Sequence, residues 1–262
     1  FVDNAQTAIL WALKCGLYTD DEQRNAMIEN LIKNIKNEGG SVREGMEENT
    51  LSVGFLGVNV ILPVLTDIGA ADVAYDLLLQ DAMPSWLYSV KNGATTIWER
   101  WNSYSIENSF GDSSMNSFNH YSYGACLEWM YKYMCGIDND ENEPGFKHII
   151  LQPTVDESGR IEYANGSYDS LYGKIVSDWT GKDGKISTYH AEIPANTTAT
   201  LYLPVEEKAA TDMPETAGIT FVGMSTNNGE TVAEFTLESG SYDFQIADGV
   251  LTASLAEGCI AQ

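Results

Sequence analysis

The sequence predicts a helical domain followed by an antiparallel β-sandwich, and three observations support this division. In roughly the first half of the chain, apolar residues recur at the three- and four-residue spacing of helices. An acidic stretch that ends in Pro144-Gly145 then interrupts the pattern. Beyond it, short apolar runs are separated by turn residues such as Asp183-Gly184, which is typical of hairpins. We therefore predict two domains, residues 1–137 and residues 138–262.

Composition limits the classes of partner. The 262 residues are 44% hydrophobic, which is enough for a sizeable core, and 38 acidic side chains against 14 basic ones give a formal net charge of −24. Such a charge repels phosphate backbones and anionic lipid surfaces, so neither nucleic acid nor a membrane is an expected partner. A neutral ligand fits better, and 14 Tyr, 8 Phe and 6 Trp favour carbohydrate, although aromatic residues fill cores first.

Cysteine and histidine usage gives no support for a metal or a cofactor. The four cysteines, Cys15, Cys126, Cys135 and Cys259, show no C-x-x-C spacing, and we interpret them as reduced core thiols. The three histidines include no H-x-x-x-H arrangement, so no zinc site is expected.

The chain contains no apolar run of transmembrane length and no signal-peptide pattern, and its compartment stays unknown. Phe1 leads within a few residues into a helical pattern, and we expect the chain to be the tail of a longer protein.

Helical periodicity in the first domain predicts three helical hairpins. Asp20 and its neighbours offer an N-cap, and Gly39-Gly40 ends the second helix. Six helices are expected at about residues 5–17, 19–35, 55–68, 71–80, 85–90 and 116–135. Short links alternate with longer loops, including an acidic loop at residues 41–52. This pattern indicates about half of an (α/α)6 barrel.

The second domain shows short strands at regular spacing, which favours a sandwich of antiparallel sheets. Turn residues, including Asp183-Gly184 and Asn227-Asn228-Gly229, separate the strands. His148 and His190 lie on alternating strand patterns and are expected to be structural. Strands are expected at about residues 147–153, 173–179, 186–193, 199–203, 220–222, 232–235 and 242–246.

The stretch Gly93–Trp101 holds the candidate catalytic residue, because it places Glu99 between Trp98 and Trp101. A carboxylate between two indoles is partly dehydrated, which is expected to raise its pKa and its basicity. The alternative interpretation is structural: Trp98 and Trp101 pack on the core, and Glu99 pairs with Arg100 or another cation. Local sequence alone leaves both interpretations open.

Several motifs together resemble one family, the bacterial α-L-rhamnosidases of glycoside hydrolase family 78. The resemblance covers nearly the whole chain and depends on the order of the motifs rather than on any one of them. The motifs are Asp3-Asn4-Ala5-Gln6-Thr7-Ala8, Gly54-Phe55-Leu56-Gly57, Pro84-Ser85-Trp86, Gly93–Trp101, Ser117-Phe118-Asn119-His120-Tyr121, Pro144-Gly145-Phe146-Lys147 and the stretch 193–200.

This resemblance implies the C-terminal portion of an enzyme that releases terminal α-L-rhamnose with inversion of configuration. Glu99 matches the family's general base, and His120 matches a histidine near the same pocket, where Trp98, Trp101 and Asn119 are further candidates for substrate binding. His120 is placed at a helix start, whose dipole favours the neutral imidazole.

The family's general acid lies in an earlier motif to which nothing here corresponds, so the site is expected to need the missing N-terminal half or another chain. Two alternatives stay open. One is an (α/α)6 glycosidase for another sugar, and the other is a non-catalytic carbohydrate-binding or structural module.

Overall fold

The structure, a computed structural model, describes residues 5–206, 209, 216–227 and 229–256. The chain forms two compact units, Phe1–Leu127 and Glu128–Gln262. The domain boundary predicted after residue 137 stays a prediction. Five residues named above lie outside the described residues, namely Phe1, Asp3, Asn4, Asn228 and Cys259.

The first unit is helical, and its helices begin and end close to the predicted positions. Asp20 caps the second helix, since its side chain accepts a hydrogen bond from the backbone N–H of Gln23. The helices are α1 Gln6–Lys14, α2 Asp21–Lys36, a 3₁₀ turn Glu38–Gly40, α3 Phe55–Asp67, α4 Ala71–Leu79 and α5 Trp86–Lys91.

Helix α3 lies at the centre of this unit. It packs against both α1 and α4, and most of its side chains are buried because they are apolar around much of the helix. The approach to α1 is close: a Cβ atom built on Gly57 would lie 2.5 Å from Oγ1 of Thr7. A glycine at this position therefore permits the packing distance between α1 and α3.

The predicted last helix begins later than the sequence indicated. Residues 116–121 are not helical; a 3₁₀ turn at Ser122–Ala125 leads into α6 Cys126–Trp129 and a π-helical turn, Met130–Met134. The reason is tertiary, because the carbonyl oxygens of Ser117 and Phe118 accept hydrogen bonds from Glu99 and Thr96 instead of from a helix. The loop before it contains a small hairpin of β1 Tyr104–Ser105 and β2 Ser109–Phe110.

The second unit is a sandwich of two five-stranded sheets, with orders β3-β4-β8-β10-β9 and β12-β11-β7-β6-β5. All pairs are antiparallel except β4 with β8. The strands are β3 Ile137–Asn139, β4 His148–Leu151, β5 Tyr163–Ser170, β6 Gly173–Lys182, β7 Lys185–Ile193, β8 Thr198–Pro204, β9 Ile219–Asn227, β10 Glu230–Leu237, β11 Gly240–Ala247 and β12 Val250–Leu255.

Alternation of side chains along these strands builds one core. Leu201, Phe235 and Tyr242 are fully buried between the sheets, as expected for inner-face positions. Asp183 and Gly184, both with positive φ, form the two-residue turn between β6 and β7 that the sequence predicted. The sequence did not predict β3, β5 and β12.

Two histidines of the second unit have contacts within its sheets. His148 lies within hydrogen-bond distance of the hydroxyls of Thr198 (2.7 Å) and Thr200 (2.9 Å) on the neighbouring strand β8. Nδ1 of His190 lies 2.6 Å from a carboxylate oxygen of Asp243. Both side chains therefore have structural partners.

The cysteines correct one prediction. Cys135 is buried, but Cys126 is only partly buried and Cys15 is exposed, so the three described cysteines are not all core thiols. Across the described residues, no helix has the length and apolarity needed to cross a membrane, and no group of three potential ligands could hold a metal ion.

Candidate active site

The two segments singled out in the sequence lie side by side in the first unit. The backbone N–H of Glu99 donates to the carbonyl of Ser117 at 2.9 Å, and the backbone N–H of His120 donates to the carbonyl of Ile97 at 2.8 Å. The hydroxyl of Thr96 also donates to the carbonyl of Phe118. The loop segments that carry Glu99 and His120 are thus joined to each other by these hydrogen bonds.

The carboxylate of Glu99 is held by one of its two oxygens. Oε2 accepts a hydrogen bond of 2.7 Å from the backbone N–H of Ser117, and the side chain is partly buried. Oε1 has no hydrogen-bond partner within the described part of the chain. An oriented carboxylate with one available oxygen can accept a proton from a bound water or hydroxyl group.

The loop that carries Glu99 is closed by the buried Ser103. The Ser103 hydroxyl accepts from the backbone N–H of Arg100, and the Ser103 carbonyl accepts from the backbone N–H of Gly111 and from the Asn116 side chain at 2.9 Å. Both ends of the loop are therefore hydrogen-bonded to the same residue, Ser103. These bonds limit the distance that Glu99 can move relative to Ser117.

The charge of Arg100 acts on two neighbours, Tyr123 and Asp112, and the charge of Glu99 acts on Tyr123. Burial raises the pKa of Tyr123; the Arg100 charge opposes this shift and the Glu99 charge adds to it. Hydrogen bonds from the backbone and hydroxyl of Ser114 hold the pKa of Asp112 below its usual value, and Arg100 contributes in the same direction. Arg100 therefore lies close enough to influence both groups, and the structure records no ion pair between Arg100 and Glu99.

Trp98 packs into an aromatic cluster on one side of the loop. The indole is 7% exposed and makes edge contacts with Phe118 (5.4 Å between ring centroids) and Tyr104 (6.4 Å). Such contacts fix the backbone next to Glu99. A direct contact between Trp98 and a sugar stays a prediction.

Trp101 packs into a second cluster with different partners. Its ring stacks on Tyr123 at 3.8 Å, its Nε1 donates to the carbonyl of Val53, and Trp86 meets it edge-on at 5.6 Å. The ring of Trp86 in turn donates to the carbonyl of Tyr123. The residues on each side of Glu99 are therefore anchored in separate aromatic clusters, and a role for Trp101 in substrate binding stays a prediction.

His120 precedes the 3₁₀ turn and is partly exposed. Its Nδ1 accepts a hydrogen bond of 3.3 Å from the backbone N–H of Ser122, and its ring stacks on Phe55 and on Tyr121. Acceptance at Nδ1 requires the neutral ring with its proton on Nε2. The sequence placed His120 at the start of a helix, and this was wrong, because residues 116–121 are not helical and a 3₁₀ turn begins only at Ser122. The neutral imidazole stays a prediction.

Asn119, which precedes His120 in the chain, has an exposed side chain. Its backbone N–H donates to the Ser117 hydroxyl at 3.1 Å. Its availability for a ligand agrees with the predicted binding role, which stays a prediction.

Sequence reasoning did not assign a function to Ser117, Phe55, Tyr121 or Tyr123. Ser117, Phe55 and Tyr121 lie inside the motifs quoted above. Their presence in these motifs was the sequence signal that could have identified them.

Comparisons with known proteins agree along most of the chain. The family model of the bacterial alpha-L-rhamnosidase 6 hairpin glycosidase domain matches residues 1–134, and that of the bacterial alpha-L-rhamnosidase C-terminal domain matches residues 136–218. An alpha-L-rhamnosidase from Streptomyces avermitilis is 37% identical over 196 residues, which is 75% of this chain and 18% of the relative. One from Formosa agariphila is 36% identical over 205 residues, 78% of this chain and 20% of that protein.

Solved structures give the same result. The crystal structure of the Streptomyces avermitilis alpha-L-rhamnosidase complexed with L-rhamnose superimposes with a TM-score of 0.75 and 32% identity, covering 93% of this chain and 22% of the other. The enzyme from Aspergillus terreus gives a TM-score of 0.69 and 27% identity over 90% of this chain and 24% of its own. The chain spans about a fifth of the length of the curated relatives it matches.

Proposed function

The chain belongs to the bacterial α-L-rhamnosidase family, and from this premise we propose that it supplies the general base, Glu99, of an enzyme that releases terminal α-L-rhamnose with inversion. In an inverting glycosidase, one carboxyl group protonates the leaving oxygen. A second carboxylate, about 6.5–9.5 Å away, removes a proton from the attacking water. Glu99 takes the second role in this proposal.

The observation that supports this role is the asymmetric hydrogen bonding of Glu99. Oε2 is occupied by the Ser117 N–H, whereas Oε1 has no partner in the part of the chain that the structure describes. A base needs one fixed oxygen that keeps the carboxylate in place and one available oxygen that binds the water. The aromatic clusters around Trp98 and Trp101 support the same role, because they limit the movement of the backbone on both sides.

The second carboxyl group is proposed to come from outside these residues. The family's general acid has no counterpart motif in the sequence, and the chain spans only about a fifth of its curated relatives. The remaining part of a longer protein, or another chain, would then supply the acid and further contacts to the sugar. A rhamnose-containing glycoside is the proposed substrate, in agreement with the relative whose structure contains L-rhamnose.

The Glu99→Gln substitution tests the base assignment in the protein as its gene encodes it. Glutamine keeps the shape and can still accept from the Ser117 N–H, but it cannot take a proton. We expect turnover of a nitrophenyl α-L-rhamnoside to fall by about 10²–10⁴-fold with an unchanged circular dichroism spectrum. Glu29→Gln, at an exposed position on α2, is the matched control and should keep normal turnover.

Chemical rescue and product analysis sharpen the test. Azide added to Glu99→Ala should restore cleavage and yield the β-rhamnosyl azide, because a small anion can attack from the side that the base served. The unmodified enzyme should first release β-L-rhamnose, which NMR detects before mutarotation. Near-normal turnover of Glu99→Gln would contradict the base role, and α-L-rhamnose as the first product would contradict inversion.

The same assays separate the alternatives. Cleavage of another nitrophenyl glycoside in preference to the rhamnoside would indicate a different sugar. Binding of a glycan without any turnover in the encoded protein would indicate a non-catalytic module.

A further inference from the structure

The imidazole of His120 is part of an aromatic stack with two rings that the base assignment does not use. The centroid of Phe55 lies 4.7 Å from that of His120 with an interplanar angle of 15°, and Tyr121 lies at 5.3 Å with an angle of 9°. We call Phe55, His120 and Tyr121 the histidine stack. Near-parallel rings at these distances restrict rotation of the imidazole about its side-chain bonds.

Hydrogen bonds fix the imidazole further and leave one group available. The backbone N–H of His120 is bonded to Ile97, and Nδ1 accepts from Ser122. The neutral ring therefore carries its proton on Nε2, which has no partner within the described residues. A partly exposed donor held in a fixed orientation is suited to an oxygen atom of a ligand.

The two outer rings differ in exposure. Tyr121 is 85% exposed in this chain, whereas Phe55 is 43% exposed and is therefore more than half buried. Phe55 also contacts Tyr123, which itself stacks on Trp101, two residues after Glu99. The stack is thereby connected by packed rings to the segment that carries the proposed base.

We propose that Phe55 and Tyr121 are positioning residues that hold the His120 imidazole so that its Nε2–H donates to a hydroxyl oxygen of the bound sugar. This inference rests on the proposed function, which supplies the sugar. The sugar hydroxyl that accepts this bond takes no part in the reaction. The neutral His120 only donates a hydrogen bond to it, and Glu99 is the group that accepts a proton during the reaction. The stack then contributes to affinity and to the choice of sugar.

Loss of one ring should affect binding rather than chemistry. In the protein as encoded, Tyr121→Leu is expected to raise KM for the rhamnoside about fivefold and to change kcat by less than about twofold. A bond present equally in the ground and transition states changes only KM, and freeing one side chain has about this effect. Phe55→Leu should act in the same way.

Two controls distinguish positioning from loss of an exposed aromatic surface. Tyr121→Phe keeps the ring and should restore the normal KM. Tyr163→Leu removes an exposed tyrosine from the second unit and should leave both constants unchanged. If Tyr121→Phe fails to restore KM, the hydroxyl and not the stack is responsible, and the inference is overturned.

Nitrogen-15 NMR of the imidazoles gives a readout that does not depend on activity. The His120→Gln variant assigns the signals of His120 in the encoded protein, because those signals disappear in it. We expect the Nε2–H tautomer in the unmodified protein and a mixture of tautomers in Tyr121→Leu. An unchanged tautomer together with an unchanged KM would overturn the inference.

The two proposals can fail separately. If Glu99→Gln removes activity while the stack variants keep a normal KM and tautomer, the base assignment stands and the positioning role falls. If the encoded protein does not cleave rhamnosides, the proposed function falls, and the sugar-binding role of the stack falls with it even where NMR shows an ordered tautomer.

Discussion

The two units differ in where they keep their apolar side chains. In the second unit, Leu201, Phe235 and Tyr242 are completely buried between two sheets. The first unit buries α3, but within the described residues it also holds most of the large apolar side chains that are exposed. Leu56 is 77% exposed and Ile106 is 74% exposed.

This contrast separates the core of the second unit from the candidate site in the first unit. A sandwich whose sheets cover each other supplies its own hydrophobic stabilisation. The first unit combines a partly closed core with an extensive apolar surface, and it carries Glu99 and His120 on loops. We propose that the additional length present in the relatives covers this apolar surface in the encoded protein.

The largest expected effect compares the same truncation in the two units. Leu201→Ala in β8 should destabilise the second unit by about 2–5 kcal/mol, because a fully buried side chain leaves a cavity. Leu56→Ala should change stability by no more than about 0.5 kcal/mol in the 262-residue chain, because that side chain is already in water. Hydrogen exchange of peptides from each unit measures both values.

Measuring Leu201→Ala and Leu56→Ala in the encoded protein tests whether additional chain covers the apolar surface of the first unit. A cost for Leu56→Ala comparable to that of Leu201→Ala would show that additional chain packs on Leu56. Equal and large costs already in the 262-residue chain would contradict the contrast between the units.

A smaller effect is expected where the first unit is closely packed. Gly57→Ala places a methyl group 2.5 Å from Thr7 Oγ1 and 2.9 Å from Val53 Cβ, so the Thr7 side chain and Val53 must move or α1 and α3 must separate. Overpacking of this kind costs about 1–3 kcal/mol, reduced by the better helix propensity of alanine. Urea unfolding followed by hydrogen exchange in α1 provides the measurement. The exposed Ala26→Gly on α2 is the control for helix propensity alone, and an unchanged midpoint in Gly57→Ala would show that the helices are not closely packed.

The smallest expected effect is a pH dependence confined to the second unit. Burial, with a contribution from the Glu157 charge, raises the pKa of Glu230 from 4.5 to about 6. Glu230 lines a cavity that is also lined by Lys182, Lys185 and Glu206. Because the folded pKa is the higher one, the favourable contribution is complete below pH 4.5 and is lost as the pH rises through about 6.

Glu230→Gln should therefore stabilise the second unit by about 1–2 kcal/mol at pH 7.5 and have almost no effect at pH 4. Thermal unfolding at the two pH values provides the test, with the exposed Glu29→Gln as the control in the first unit. A stabilisation independent of pH would show that ionisation of Glu230 is not its cause.

Much of the fold could be predicted from the sequence because it depends on local patterns. The N-cap at Asp20 and the period of apolar residues fixed α2 and α3 to within a few residues, and Asp183-Gly184 fixed the turn between β6 and β7. Prediction of β5 failed because Tyr163–Ser170 is polar and mostly exposed, so its alternation is weak. The strand forms because β6 offers a complete ladder of backbone partners.

For the candidate site, the sequence by itself identified Glu99, His120 and their neighbours, since the residue types and their order along the chain suffice for a resemblance. Only the tertiary structure decided that the segment of Glu99 pairs with that of His120, that Ser117 holds one carboxylate oxygen, and that Phe55 stacks on the imidazole. The physical reason is that these contacts join positions far apart in the chain. No local propensity specifies such contacts, and here they replaced the helix that local periodicity predicted for residues 116–121.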